Sequence, residues 1–591
     1  MPYSANPRKV YGKVEVIFSD TDISSIEEVT TSSASAISHP YEVYSANIVP
    51  TVKACTMDGN STLDSTFQMM DEGCVLGWWS GELSNSNGEF AISPTLELSF
   101  SPRPILSWLI VGDVKLNQYP ENFTIEYYQN GILVESQSII SNTQVQRKIY
   151  NEIEDITSLK ITIQKWNKPN ATVKLLKFFD KLAETYLEND LKEFEVNEEM
   201  FSEDANYNIN SDTMTVTIYN RDQKFSVGYL KNLLILDRKV KPYIGTDVNG
   251  TITYTQLGTF YSDEWQVDEE GGWVKCIAVD KLMRLQSKIY IGYPLSYNSS
   301  LYDIIADILV KSGFTNDQFY ISSDLTSVLI PMAFMPKQTV WDALQDVANA
   351  GLCKVFVDRS DRINIISENE THVESGIEIN TSNMFGYKSN ISLTEFANRV
   401  SVEYCDVELT DDFVEAASTA IVVDGNSTIE LTIDYNLDVT DATIEVSNPS
   451  LLFDYFSSGI NACGVKIRNS SSSIEEGTIT IKGFAIDITY KTVFVQDENS
   501  IRDYGAFDYK HPSSDLVQSS VRAIAIATTL MNKLKTGEGV ITTIWRGNPS
   551  LELGKTYRTK NKHNQENVLI CEYNKLSFDG GLKQETRGRK I

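Results

Sequence analysis

The residues best suited to covalent or metal chemistry are few and scattered. The four histidines, His39, His372, His511 and His563, form no H-x-x-H or H-E-x-x-H pattern, so a zinc peptidase site is not indicated. Seven cysteines (Cys55, Cys74, Cys276, Cys353, Cys405, Cys463, Cys571) are an odd count without a C-x-x-C pair. That fits reduced, mostly buried thiols of a cytosolically made protein better than a disulfide framework, and no local signature pairs any of them with a histidine for amidase chemistry. Neither G-x-x-x-x-G-K-[ST] nor G-x-G-x-x-G after a strand is present to cradle a phosphate. Carboxylates are abundant, 80 in all, and a glycosidase pair among them is a matter of folded geometry, which sequence does not fix. The expectation is a non-enzymatic protein without cofactor or metal.

A net charge of -29 repels polyanions and argues against sequence-specific nucleic-acid binding. Residues 184–204 hold nine carboxylates against one lysine and read as a solvated acidic face or a docking surface. No run of about 18 apolar residues occurs, and the start Met1-Pro2-Tyr3-Ser4-Ala5-Asn6 has no apolar leader, so neither membrane insertion nor signal-directed secretion is expected. With 591 residues the chain exceeds what one core supports and divides into several domains.

The elements that must position any site are mainly strands. Val14-Glu15-Val16-Ile17-Phe18 and Met214-Thr215-Val216-Thr217-Ile218 alternate apolar and polar residues, and Asp247-Val248-Asn249-Gly250 is the turn of a hairpin. Three helices stand out. One follows the cap Ser300, with Leu301, Ile304, Ile305, Ile308 and Leu309 on one face and Gly313 as its stop. The second starts at Thr339 with Asp342 three residues on, buries Val340, Trp341, Leu344, Val347 and Ala348, and stops at Gly351. The third spans 515–535 with Val517, Val521, Ile524, Thr528 and Met531 as its stripe and Gly537 beyond. Strands at Cys353 to Val357 and Ile363 to Ile366 close around Arg359-Ser360-Asp361-Arg362. Residues 429–433 and 478–482 read as strands flanking the serine run 470–473.

Several motifs occur in a telling order. Leu257-Gly258-Thr259-Phe260 and Ala278-Val279-Asp280-Lys281-Leu282 come first, then Asn398-Arg399-Val400-Ser401-Val402. Ser500-Ile501-Arg502-Asp503-Tyr504-Gly505, Trp545-Arg546-Gly547-Asn548-Pro549-Ser550-Leu551 and Asp579-Gly580-Gly581-Leu582 follow. This succession, over 183–591, resembles the baseplate-hub or tail-tip proteins of phages and tailocins of Gram-positive hosts. The resemblance implies a mainly β fold with minor α/β content. Residues 1–38 and 180–290 would form a first hub β-barrel, 291–376 a small α+β domain, and 377–410 with 493–591 a second barrel with its helix. Residues 411–492 would be an inserted β domain. It further implies a pseudo-hexameric homotrimer in the virion that joins the tail tube or distal tail protein to a spike or tip protein and other baseplate subunits. Its lumen would pass DNA or the tape-measure protein.

Residues 39–179, through Gly77-Trp78-Trp79-Ser80 and Tyr119-Pro120-Glu121-Asn122-Phe123, resemble a discoidin or galactose-binding-like jelly roll. That likeness makes Tyr44, Trp78, Trp79 and Trp108 candidate contacts for a host cell-wall glycan, although paired tryptophans in a sandwich are more often core. Asp58, Asn60 and Asp64, an oxygen-rich turn, are candidate ligands for a structural calcium, with a solvated turn as their plainer reading. A carbohydrate-binding host-recognition protein and a tail-associated cell-wall hydrolase stand as the alternatives.

Overall fold

The structure is a computed structural model that describes residues 9–20, 26–35, 38–44, 76–114, 116–179, 181–200, 207–221, 223, 225–226, 234, 236–248, 250–368, 370, 372–391, 396–535 and 538–590. Cys55, Asp58, Asn60, Asp64, Cys74, Asn249 and Gly537 lie outside the described residues. The chain divides into two compact units, 1–14 with 186–591 and 15–185.

In the larger unit, β alternation sets the architecture. Phe194 and Val196 of the strand Leu191–Glu199, Met214, Val216 and Ile218 of Thr213–Tyr219, and Val274, Cys276 and Ala278 of Trp273–Val279 are all buried, and Glu195, Thr215 and Lys275 between them are less so. These strands belong to one long sheet. It runs Lys239–Val248, Phe260–Asp268, Trp273–Val279, Thr213–Tyr219, Leu191–Glu199, Glu566–Phe578, Leu582–Lys590, Glu538–Trp545 and Met384–Ile391. Thr251–Gln256 branches off as the expected hairpin partner of Lys239–Val248, with Gly250 at φ +84° donating its N–H to Asp247 Oδ1 at 2.7 Å. The fold class is mainly β, but among the described residues no sheet closes on itself. Strands expected in two separate barrels are joined edge to edge where Leu191–Glu199 pairs antiparallel with Glu566–Phe578, and the rings of Phe194 and Phe578 stack at 5.3 Å across that seam.

Four α-helices occur among the described residues. α1 (Leu301–Lys311) has its cap at Ser300, whose hydroxyl accepts the Asp303 N–H, and it buries the five expected residues. α2 (Val340–Gly351) is capped by Thr339 in the same way. Its end differs from expectation, because Gly351 is the last helical residue and Leu352, at φ +52°, takes the left-handed position. Packing accounts for the glycine at 351: a Cβ there would sit 2.3 Å from Cys353 Sγ and 2.6 Å from Leu301 Cδ2. α3 (Glu498–Tyr504) is short and capped by Asp497. α4 (Ser520–Leu534) begins five residues later than expected and buries Ala523, Ile526, Ala527, Leu530, Met531 and Leu534. Val521 and Ile524, assigned to its inner stripe, face outward instead. Both stripes are apolar, so periodicity alone did not orient this helix.

Helices α1, α2 and α4 share one core with the bases of two long strands, Arg399–Val423 and Glu475–Gln496, through Val400, Val402, Val493 and Val495. The same two strands continue as an antiparallel ribbon into a second core. There they face the sheet of Thr428–Asp434, Ala462–Asn469 and Leu451–Ser458 around Ile421, Ile433, Val465, Ile467, Ile479 and Ile481. Strands of this length can change core partway because each residue's facing is fixed locally by the pleat.

The smaller unit is a β-sandwich. Its main sheet orders Ile26–Thr31, Thr95–Val111, Gln146–Trp166, Pro120–Gln129 and Ile132–Ile139. Trp78–Trp79 pairs with Lys174–Leu175, and Trp78, Trp108, Trp166, Phe123 and Phe178 fill the core between the layers.

Candidate functional site: a buried polar junction

The strand Leu191–Glu199 carries Phe194 and Val196 on its buried face, and the next residue in that phase is Glu198, only 3% exposed. Opposite, Glu566–Phe578 places Asn574 in phase with buried Leu576 and Phe578, and Leu582–Lys590 does the same with Gln584 and Thr586. A carboxylate so placed must be paired, since an isolated buried charge costs several kcal/mol. The partner is Arg359, delivered by the turn between Cys353–Val357 and Ile363–Ser367. Its Nε and Nη2 donate to Glu198 Oε1 and Oε2 at 2.5 and 2.7 Å, a two-pronged fork. Arg359 also donates to the Pro549 carbonyl and, at 3.0 Å, to that of Leu551.

Around the fork, Asn574 Nδ2 donates to Leu551 O at 3.0 Å and to Glu198 Oε2 at 3.3 Å. Its Oδ1 accepts from Gln584 Nε2 at 2.9 Å and Thr586 Oγ1 at 3.0 Å. Thr586 in turn accepts the Trp545 indole N–H at 3.0 Å, and Gln584 Oε1 accepts the Asn548 N–H at 2.8 Å. Gly547 turns this loop at φ +86°, where a Cβ would meet Leu582 Cγ at 2.8 Å.

Two further buried carboxyls adjoin the fork. Asp280 accepts Ser211 Oγ at 2.7 Å and the N–H groups of Asp212 and Leu282 at 2.9 Å each, while Asp212 accepts the Glu199 N–H at 2.7 Å. Burial pushes both acids above the usual carboxylate range, and the Asp280 charge pushes Asp212 further. Beside them the Arg359 turn is fixed by Tyr261 OH donating to Asp361 Oδ2 at 3.0 Å, with Lys281 Nζ 3.3 Å from Asp361 Oδ1. Gln256 Nε2 bonds Gly258 O, Thr259 Oγ1 and Arg359 O. Bonds of this kind lock three distant segments into one geometry.

Thus the Leu257-to-Phe260, Asp280-to-Leu282 and Trp545-to-Leu551 motifs, far apart in the sequence, meet at one place around Arg359. Two of the other three motifs meet elsewhere. Asn398, fully buried, donates to Ser500 Oγ at 3.1 Å and Gly505 O at 2.8 Å and accepts the Phe507 N–H at 2.7 Å, so it ties its own motif to the Ser500-to-Gly505 one.

The sequence-derived aromatic candidates fall into two groups. Trp78 and Trp108 are 0% exposed; Trp78 donates its indole N–H to Ser33 O at 3.0 Å and Trp108 packs on Phe178 at 5.1 Å. Complete burial removes both from any sugar-stacking surface. Trp79 and Tyr44 are half-buried. Lys174 Nζ lies 4.6 Å from the Trp79 ring centroid and is paired at 2.8 Å with Asp113, while Tyr44 meets Tyr41 edge-on at 6.5 Å. His511 is buried against Asn349 O at 3.0 Å, and His372 Nδ1 lies 2.9 Å from Gly554 O. The five described cysteines are buried and free, and burial pushes Cys353 and Cys405 to about 12, which keeps them as thiols. Among the described residues no group of three or more His, Cys, Asp or Glu is set to hold a metal ion.

Glu198, Arg359 and Asn574 were not picked out from sequence. The run 184–204 reads as a solvated acidic face, yet Glu198 is interior; the signal was its place in the apolar phase of Phe194 and Val196.

No protein-family model and no curated protein matches the chain. Solved structures resemble it at low identity. The 43 kDa tail protein of prophage MuSo2 from Shewanella oneidensis is 10% identical with a TM-score of 0.40, covering 69% of this chain and 96% of that one. The prophage tail protein gp18 from Listeria monocytogenes is 8% identical with a TM-score of 0.36, covering 69% and 92%. A family 32 carbohydrate-binding module of NanJ from C. perfringens, solved with galactose, is 14% identical with a TM-score of 0.19, covering 28% of this chain and 99% of that one. Scores of this size record likeness and assign nothing by themselves.

Proposed function

We propose that the chain is a structural subunit of a phage tail or tail-like particle, a baseplate-hub or tail-tip protein. Three copies would surround a passage for DNA or the tape-measure protein and join the tail tube to a central spike or tip and the outer baseplate. One observation carries the reading: three of the six motifs that resemble the hub family in sequence converge on the Glu198–Arg359 junction, beside the seam that makes two strand systems a single sheet. A wall that must hold shape under load needs such a seam, and a fork buried at 10% and 4% side-chain exposure supplies direction as well as cohesion. The negative charge suits a passage through which DNA must slide without adhering.

The test is size-exclusion chromatography with light scattering on the full chain, alone and with its tail neighbours. A trimeric mass supports the hub; a chain that stays monomeric in both settings overturns it. A zymogram on Gram-positive cell walls separates the hydrolase reading and is expected to show no clearing.

A further inference from the structure

In a chain averaging about one carboxylate in seven residues, long stretches without any are conspicuous. None of the fifteen residues of α4, the eight of Tyr293–Ser300 or the seven of Leu329–Met335 is Asp or Glu, and the two strands carry no charge of either sign. These elements are neighbours. Tyr293–Ser300 and Leu329–Met335 form an antiparallel ribbon with Tyr297 opposite Met332. Gln518, just before α4, clasps Met332 by accepting its N–H at 2.9 Å and donating to its carbonyl at 2.7 Å. The two cations of α4 are turned inward, Arg522 to the Ala350 carbonyl at 2.6 Å and Lys533 to Glu368 at 2.6 Å.

What remains outward is neutral and apolar: Val521 (77% exposed) and Ile524 (46%) on the helix, Tyr297 (61%) and Leu329 (60%) on the ribbon. Burying them inward is impossible, because the opposite stripe of α4 already fills the core.

We infer that this face is the contact surface for a second copy of the same chain; the inference rests on the three-copy reading above and names the surface that reading needs. Two chains of charge -29 repel across most of their surfaces, so close approach is favoured where neither carboxylates nor their counter-charges must be desolvated. A closed ring of three is built of head-to-tail contacts, so the surface met on the neighbour is a different one.

The experiment compares the full-length wild type with Val521→Glu/Ile524→Glu by light scattering across a dilution series, with Ile132→Glu, an exposed apolar residue of the sandwich, as control. The wild type and the control are expected to be trimeric. The double variant is expected to dissociate at concentrations about a hundredfold higher, with an unchanged thermal melt because both side chains are exposed. A trimeric wild type whose double variant dissociates no more readily overturns this surface and leaves the three-copy reading standing. A wild type monomeric at every concentration, alone and with its tail neighbours, overturns both. Loss of binding to a different tail protein, with trimerisation intact, overturns the second copy as occupant.

Discussion

Arg359 and Glu198 belong to a class of pair whose net worth is small but whose halves are costly to separate. Arg359→Ala leaves a carboxylate 3% exposed with no counter-charge, and a loss of about 3–5 kcal/mol in chemical denaturation of the larger unit is expected. Replacing both partners, as Glu198→Gln with Arg359→Met, is expected to cost less than the single change; a double variant at least as unstable as Arg359→Ala would show that the fork is not the source. Asp346 offers a pH handle. Burial, opposed by the Gln338 amide donating at 2.9 Å and reinforced by the Asp515 and Asp342 charges, pushes it up to about 6 from 3.8. A folded pKa above the unfolded one gives stability that is complete below about pH 3.8 and lost as pH rises through about 6. Between pH 7.5 and pH 5 the wild type should therefore gain about 1 kcal/mol over Asp346→Asn; parallel pH profiles for the two would contradict the assignment. The junction itself was only partly legible in sequence. The strand phase of Glu198 and Asn574 was readable, but which cation would arrive was not, because Arg359 sits on a turn whose destination depends on tertiary packing.

Elements with a strong local code emerged as the sequence dictates. Ser300 and Thr339 cap α1 and α2 because a hydroxyl followed three residues later by Asp favours that start, and the five inward residues of α1 follow from a single apolar stripe. α4 did not, since Val521, Ile524, Ile526 and Leu530 offer two apolar faces and only the facing strands decide between them. The sandwich shows the same ambiguity in its tryptophans: a Trp-Trp pair at a strand signals a core or a platform equally well until the covering layer is known. Trp108→Ala is expected to destabilise the smaller unit by about 3–5 kcal/mol, read as a lowered first or second transition in calorimetry of the full chain. A Trp108→Ala variant melting like wild type but altered only in glycan-array binding would show instead that the ring serves a ligand.

For the whole molecule, the decisive feature is that strand systems expected as two closed barrels form one open sheet through the pairing of Leu191–Glu199 with Glu566–Phe578. Barrel closure was not readable from sequence, because each strand's alternation specifies a buried face and not its neighbour. An open sheet leaves edges, and a subunit of an annular assembly can cover edges and neutral faces with its copies where a monomer cannot. Electron cryo-microscopy of the purified full-length protein tests this most directly. The account predicts three-fold rings with a central passage and the seam strands continuous within each subunit's wall. Monomers, two-fold dimers or open filaments would contradict it.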